Sequence, residues 1–156
     1  MAEKVRSADI MLRRAVGSVE DTWRLAAEVA DALAPGTVLA LHGDLGAGKT
    51  AFVQGLGWAL GVRRLMTSPT FTLVAEYDTP RFKLVHMDLY RINDPDELVA
   101  LGFCEYMENC AVVAVEWPER AGDLIPQDAL HVRITLGQGE GTREIIVERG
   151  KNHEFA

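Results

Sequence analysis

Two spacings of apolar residues run through this chain. Trp23, Leu25, Ala26, Val29, Ala30 and Leu33 recur every three or four positions, which predicts an amphipathic helix over 19–34. Ser18 stands before it as an N-cap, with Asp21 three residues on as a weak capping box, and Pro35-Gly36 ends it. The runs 37–42 and 111–117 are short and continuously apolar, the pattern of strands buried on both faces in a parallel sheet. Further strands are expected at 10–16, 71–77 and 82–90, the last two joined by a turn at Asp78-Thr79-Pro80. Asp94 caps another helix, with Pro95 in its first position and Glu97 three residues after the cap, running to about 107. The alternating segments 130–136 and 143–147, joined through 137–141, predict a terminal hairpin. A Gly-rich turn after 37–42 leads into a helix at 49–60, where Gly55 and Gly57 suggest close packing on the sheet. The whole predicts an α/β fold: a mixed, mainly parallel sheet flanked by helices, with a C-terminal β-hairpin. No repeat or linker divides the chain, so 1–156 reads as a single domain.

Composition narrows the function classes. With 48% hydrophobic residues the chain has apolar content for a core of its own, without disulfide or metal staples. The net charge of -7 argues against tight binding to nucleic acid on its own, although Arg13-Arg14 and Arg63-Arg64 leave room for a local basic patch. Cys104 and Cys110 lack metal-ligand spacing and read as reduced thiols. No apolar run reaches membrane-spanning length, and the N-terminus lacks a secretion signal, so a cytoplasmic protein without membrane contact is expected.

The chemistry is concentrated at Gly43-Asp44-Leu45-Gly46-Ala47-Gly48-Lys49-Thr50, which matches G-x-x-x-x-G-K-[ST] at every fixed position. Glycines let the backbone wrap an anion with its N–H groups inward, and the helix that follows aims its positive end at phosphate. Lys49 can reach the β- and γ-phosphates, and the Thr50 hydroxyl can coordinate Mg²⁺. The match lies between a buried strand and a helix, as the motif requires. A P-loop NTPase that binds ATP is the direct reading.

Hydrolysis also needs groups for metal and water. Glu116 ends a buried strand, where ligands bind in open α/β sheets, and is placed like a Walker-B acid on Mg²⁺. His86, Asp88 and Tyr90 share one face of the 82–90 strand by alternation. Asp88 could then orient the attacking water or hold a metal-bound water, the alternative being a solvated sheet face. The hydroxyl-rich turn 67–70 sits where P-loop proteins sense the γ-phosphate, and a plain turn is the alternative. No Asn-Lys-x-Asp run marks guanine specificity, and no Arg-rich lid marks a small-molecule kinase.

Together, Gly-Asp-Leu-Gly-Ala-Gly-Lys-Thr at 43–50, Ser-Pro-Thr-Phe-Thr-Leu-Val at 68–74, His-Met-Asp-Leu-Tyr-Arg at 86–91, Asp-Pro-Asp-Glu-Leu at 94–98 and Val-Glu-Trp-Pro-Glu at 115–119 resemble the bacterial TsaE (YjeE) proteins. These are ATPases of tRNA threonylcarbamoyladenosine biosynthesis. The resemblance implies a small Mg²⁺-dependent ATPase that joins TsaB and TsaD, meets tRNA only through that complex, and resets or regulates it between turnovers. It implies magnesium contacts from Thr50 and Glu116, and a place for Asp88 among the active-site acids. It implies nucleotide contacts from the loop through Ala51, from Ser18 to Thr22, and from Arg143. A small-molecule kinase, or a nucleotide-gated assembly module with negligible hydrolysis, remains the alternative.

Overall fold

The computed structural model describes residues 8–150, and the chain ends 1–7 and 151–156 lie outside them. Its centre is built from the two continuously apolar runs. β2 (Val38–His42) and β5 (Val112–Glu116) pair in parallel with Leu41 beside Glu116. β4 (Lys83–Asp88) and β6 (Leu130–Leu136) join them, also in parallel, on the outer sides of β5 and β2. Antiparallel strands complete the edges: β3 (Val74–Asp78) on β4, β7 (Arg143–Gly150) on β6, and β1 (Ala8–Val16) on β7. The order is β1-β7-β6-β2-β5-β4-β3, a seven-stranded mixed sheet with the expected hairpin as β6 and β7.

Both faces are covered, which is why the central strands need no polar alternation. Along β5, Val112 and Ala114 pack under α1 (Val19–Asp31) and α2 (Lys49–Leu60), while Val113 and Val115 pack under α3 (Pro95–Ala100) and α4 (Phe103–Glu108). α1 starts at the Ser18 cap: Ser18 Oγ accepts from Asp21 N at 3.1 Å, and Asp21 Oδ2 accepts from Gly17 N, one residue before the cap. Its far end closes at Asp31, short of 34, because Pro35 disfavours helical backbone at the residue before it. Arg81 satisfies the carbonyls left there, donating to Ala30 O at 3.1 Å and Leu33 O at 2.6 Å.

Four expectations need correction. The 94–107 helix is two short helices, broken where Gly102 takes φ 93°. The strand expected at 71–77 begins only at Val74, because Leu73 turns through φ 72° and bonds back to Pro69 O. β4 stops at Asp88, whose Oδ1 accepts from Tyr90 N at 3.0 Å and turns the chain, so Tyr90 leaves the strand face it was expected to share. Gly55 and Gly57 face away from the sheet: a Cβ at 55 would meet Trp23 and Ala26 of α1, and one at 57 would meet the Met66 thioether in the segment after α2. A 3₁₀ segment, Pro118–Leu124, follows β5 and was not foreseen.

The other composition-based expectations fare simply. Arg13 and Arg14 pair with Glu144 and Glu28, which takes charge from any basic patch on that strand. Neither cysteine is in a disulfide. Among the described residues no helix is long and apolar enough to cross a membrane.

Candidate nucleotide site

The loop 43–48 leaves the carboxyl end of β2 and feeds directly into α2. Glycine is required at three of its positions. Gly46 and Gly48 take φ 80° and 112°, and a Cβ built on either would point into open space. Gly43 passes so close to β6 that a Cβ would lie 2.9 Å from Ile134 O. α2 begins at Gly48 with no side-chain cap and no acid in its first turn, unlike α1 and α3, which Ser18 and Asp94 cap. Its first N–H groups and the positive end of its dipole are therefore left for an anion.

Lys49, at the first position of α2, is only 5% exposed. Its Nζ donates to Gly43 O at 2.6 Å and sits 3.8 Å from the centre of the Trp117 ring. Burial lowers its pKa, against the opposing pull of Glu116 and Asp88. The ammonium thus folds back on its own loop, capped by an aromatic face. Trp117 takes this position through a left-handed backbone at φ 59°, directly after β5.

Asp88 and Glu116 end adjacent parallel strands in register. Both are buried, so the solvated-face alternative for Asp88 does not hold. Glu116 Oε2 accepts from Thr50 Oγ1 at 3.0 Å and lies 2.7 Å from His86 Nε2. Burial pushes the Glu116 carboxyl up, but the hydrogen bond and charge of His86, then Thr50 and Lys49, outweigh it and hold the pKa below its ordinary value. Asp88 Oδ2 accepts from Thr70 Oγ1 at 3.1 Å, and Thr70 Oγ1 is 2.7 Å from Ser68 Oγ. The hydroxyl turn is therefore wired to the acid. Lys49, Thr50, Ser68, Thr70, Asp88 and Glu116 line one cleft of about 290 Å³ with Gly46, Gly48, Tyr90 and Trp117.

Across the loop lies a second hollow of about 270 Å³, lined by Ser18, Thr22, Gly46, Ala47, Gly48, Ala51 and Arg143. Arg143, from the first position of β7, donates through Nε to Ala47 O at 3.2 Å. The residues expected from α1 and from the hairpin thus meet at the phosphate loop, although they lie some distance apart along the chain. Asp44 lies on the loop's remaining side, while Leu45, 70% exposed, lines both that side and the rim of the first cleft.

The donor set suits magnesium. Thr50 and Glu116 present oxygen atoms 3.0 Å apart beside an anion cradle, with the Asp88 carboxylate next to them. Mg²⁺ is held by one or two carboxylates plus phosphate and water oxygens, not by a cage of protein ligands. Among the described residues no cluster of three or more His, Cys, Asp or Glu forms such a cage. Sequence reasoning placed His86 on the right face but gave it no task, and it overlooked Trp117. The first shows itself only when β4 and β5 are put in register. The second needs the positive φ that no pattern predicts.

Comparison with known proteins agrees with this architecture. The family profile described as "Threonylcarbamoyl adenosine biosynthesis protein TsaE" matches residues 16–145. A tRNA threonylcarbamoyladenosine biosynthesis protein TsaE of Bacillus subtilis is 42% identical over 126 residues, covering 81% of this chain and 78% of the relative. That of Nostoc is 40% identical over 140 residues, covering 87% and 85%. The crystal structure of YdiB from the same Bacillus superposes with a TM-score of 0.79 at 34% identity, over 93% of this chain and 88% of that one. The matched span holds the loop, both buried acids, the hydroxyl turn and Arg143, so by sequence and fold the chain belongs to the TsaE family.

Proposed function

We propose that this protein binds ATP with Mg²⁺ at the 43–50 loop, hydrolyses the ATP, and thereby supports threonylcarbamoyladenosine formation in tRNA by regulating or resetting a TsaB–TsaD complex. The observation that carries the nucleotide reading is the uncapped N-terminus of α2, opening with Lys49 and Thr50 onto a cleft that also holds Glu116 and Asp88. Lys49 leaves Gly43 O for the β- and γ-phosphates. Thr50 and Glu116 would hold magnesium, which when bound would supply positive charge against the phosphates. Asp88 orients the attacking water or a metal-bound water, with Thr70 steadying its carboxylate. Ser18, Thr22 and Arg143 contact the nucleotide from the second hollow.

The partner reading rests on the family resemblance, and the relatives' names support it as far as tRNA threonylcarbamoyladenosine biosynthesis. With a net charge of -7, direct contact with tRNA is disfavoured, and the chain reaches tRNA through the complex. Phosphate release from Mg·ATP, measured for the purified chain with and without chelator and with and without TsaB and TsaD, tests both parts. No magnesium-dependent release in any arm overturns hydrolysis. Release and binding that ignore the partner pair overturn the coupling.

A further inference from the structure

His86 is 1% exposed, and its neighbours in the sheet explain how it fits. In register it lies between Ala75 of β3 and Ala114 of β5. Two alanines on the flanking strands leave room for an imidazole to lean along the face toward the diagonal position on β5, which is Glu116. The surrounding face is apolar, with Leu84 before it on β4 and Ala114 beside it, both fully buried. A polar ring is costly there unless it is hydrogen-bonded.

We propose that His86 is a positioning residue for Glu116: by donating Nε2–H to Oε2, it holds the carboxylate in the one orientation that presents it to magnesium beside Thr50. The inference rests on Glu116 being a magnesium ligand. Both hydrogen bonds to the carboxylate, from His86 at 2.7 Å and Thr50 at 3.0 Å, fall on Oε2. The Thr50 hydroxyl can still donate to Glu116 while its oxygen serves the metal, so that bond is shared with a second task. His86, buried beneath the cleft and not among its lining residues, keeps its bond. Since a carboxylate only accepts, Nε2 is the protonated nitrogen. An outer hydrogen bond of this kind, fixing the rotamer of a metal-binding side chain, is a recurrent feature of metal sites.

The test is a magnesium titration of nucleotide binding, followed with fluorescent ADP and without turnover, for the full chain and for His86→Leu, His86→Gln and Glu116→Ala. His86→Leu is expected to raise the magnesium needed for half-saturation by about 10–100-fold, and His86→Gln, which can still donate, to return it to within about threefold of the wild type. Magnesium-free nucleotide affinity should be unchanged in the two His86 variants. If Glu116→Ala shifts the magnesium dependence and His86→Leu does not, or if His86→Gln is as impaired as His86→Leu, the positioning role is overturned. If Glu116→Ala itself behaves as wild type, the metal reading of Glu116 falls, and the proposal with it. Should His86→Leu not fold, the imidazole ¹⁵N signals of the wild-type protein decide. A proton on Nε2 before and after Mg·ADP supports the role, and the Nδ1 tautomer overturns it.

Discussion

Asp88 and Glu116 are paired residues at the carboxyl ends of β4 and β5, yet each carboxylate is held by a different hydroxyl: Thr70 for Asp88, Thr50 for Glu116. One acid is thus tied to the phosphate-loop helix and the other to the hydroxyl turn at 68–70. This division predicts that their alanine variants fail differently. Each should lose about 100-fold or more in hydrolysis, while nucleotide affinity changes by less than about tenfold. Only Glu116→Ala should also raise the magnesium requirement. Magnesium titrations of steady-state phosphate release separate the two, and an unchanged magnesium dependence in Glu116→Ala moves the metal role to Asp88.

Lys49 and Thr50 bear on the loop itself. On the proposed function, Lys49→Ala removes the charge that would face the phosphates, and Thr50→Ala removes a ligand of the magnesium. Each should lower hydrolysis by about 10²–10³-fold. Folding should survive, because burying the Lys49 ammonium already works against its charged form and α2 keeps its packing face. Melting points within about 4 °C of the wild type are expected. Wild-type turnover in either purified variant removes the P-loop assignment.

The phosphate loop, its flanking strand and helix, and the strand-end acid were legible because each follows from local rules. A continuous apolar run makes a buried strand, and the fixed Gly and Lys-Thr spacing makes an anion cradle. The hairpin was legible too, from alternation on either side of a glycine-rich turn. Three-dimensional register was not. Nothing local says that Ala75 and Ala114 flank His86, that Arg143 returns to Ala47, or that Ser18 lies across from Gly46. Nor does periodicity reveal where side chains break the pattern: Asp88 ends β4 by accepting from Tyr90 N, and Gly102 splits the expected helix.

Gly55 and Gly57 look alike in sequence and differ in surroundings. At Gly55 an added Cβ lies 2.9 Å from Trp23 Cα and from Ala26 Cβ, on an adjacent helix that cannot yield without separating α1 from α2. Gly55→Ala should cost about 1–3 kcal/mol despite better helix propensity. At Gly57 the obstacle is the Sδ and Cε end of Met66, a flexible side chain that can swing. A propensity gain of about 1 kcal/mol should offset much of that movement, leaving Gly57→Ala near neutral. Urea unfolding of the two variants checks the order, and equal losses would contradict it.

His42, the last residue of β2, predicts how stability responds to acid. Its Nε2 lies 2.9 Å from His131 Nδ1 on β6. Burial, then Arg133 and His131, push its pKa down to about 4, with Glu148 opposing and Lys49 adding to the fall. His131 is lowered as well, first by burial and then by Arg133, with Glu148 opposing. Above pH 6.5 both states are neutral and the full stability is present. Between about 6.5 and 4 the unfolded chain takes a proton that the folded chain refuses, so stability falls as pH falls. The full shift of His42 corresponds to about 3 kcal/mol, and partial solvent exposure reduces it to about 1–2 kcal/mol. Denaturant midpoints from pH 7.5 to 4.5 should show this slope, and His42→Gln should flatten it in the upper part of the window, before the carboxylates begin to titrate.

On the proposed function, the hydroxyl turn is placed to connect the nucleotide to the partners. Ser68 and Thr70 line the cleft and Thr70 reaches Asp88, while the next residue, Phe71, is 83% exposed with the Arg91 guanidinium over its ring. One short segment therefore carries polar atoms inward and an aromatic face outward. A change in what Thr70 touches is expected to reach the backbone that presents Phe71, its neighbour in sequence. Leu73, held at a strained positive φ and bonded to Pro69 O, closes the segment as a unit. A γ-phosphate in the cleft gives the Ser68 and Thr70 hydroxyls a strong acceptor, and its loss on hydrolysis removes it. Amide exchange across 68–71 is thus expected to be slower with a non-hydrolysable ATP analogue than with ADP, and slower again with the TsaB–TsaD pair. Partner affinity should follow the same order, and Phe71→Ala should weaken partner binding while leaving nucleotide affinity unchanged. Exchange at 68–71 that is the same with ADP, with the analogue and with the partners would break the link between this turn and assembly.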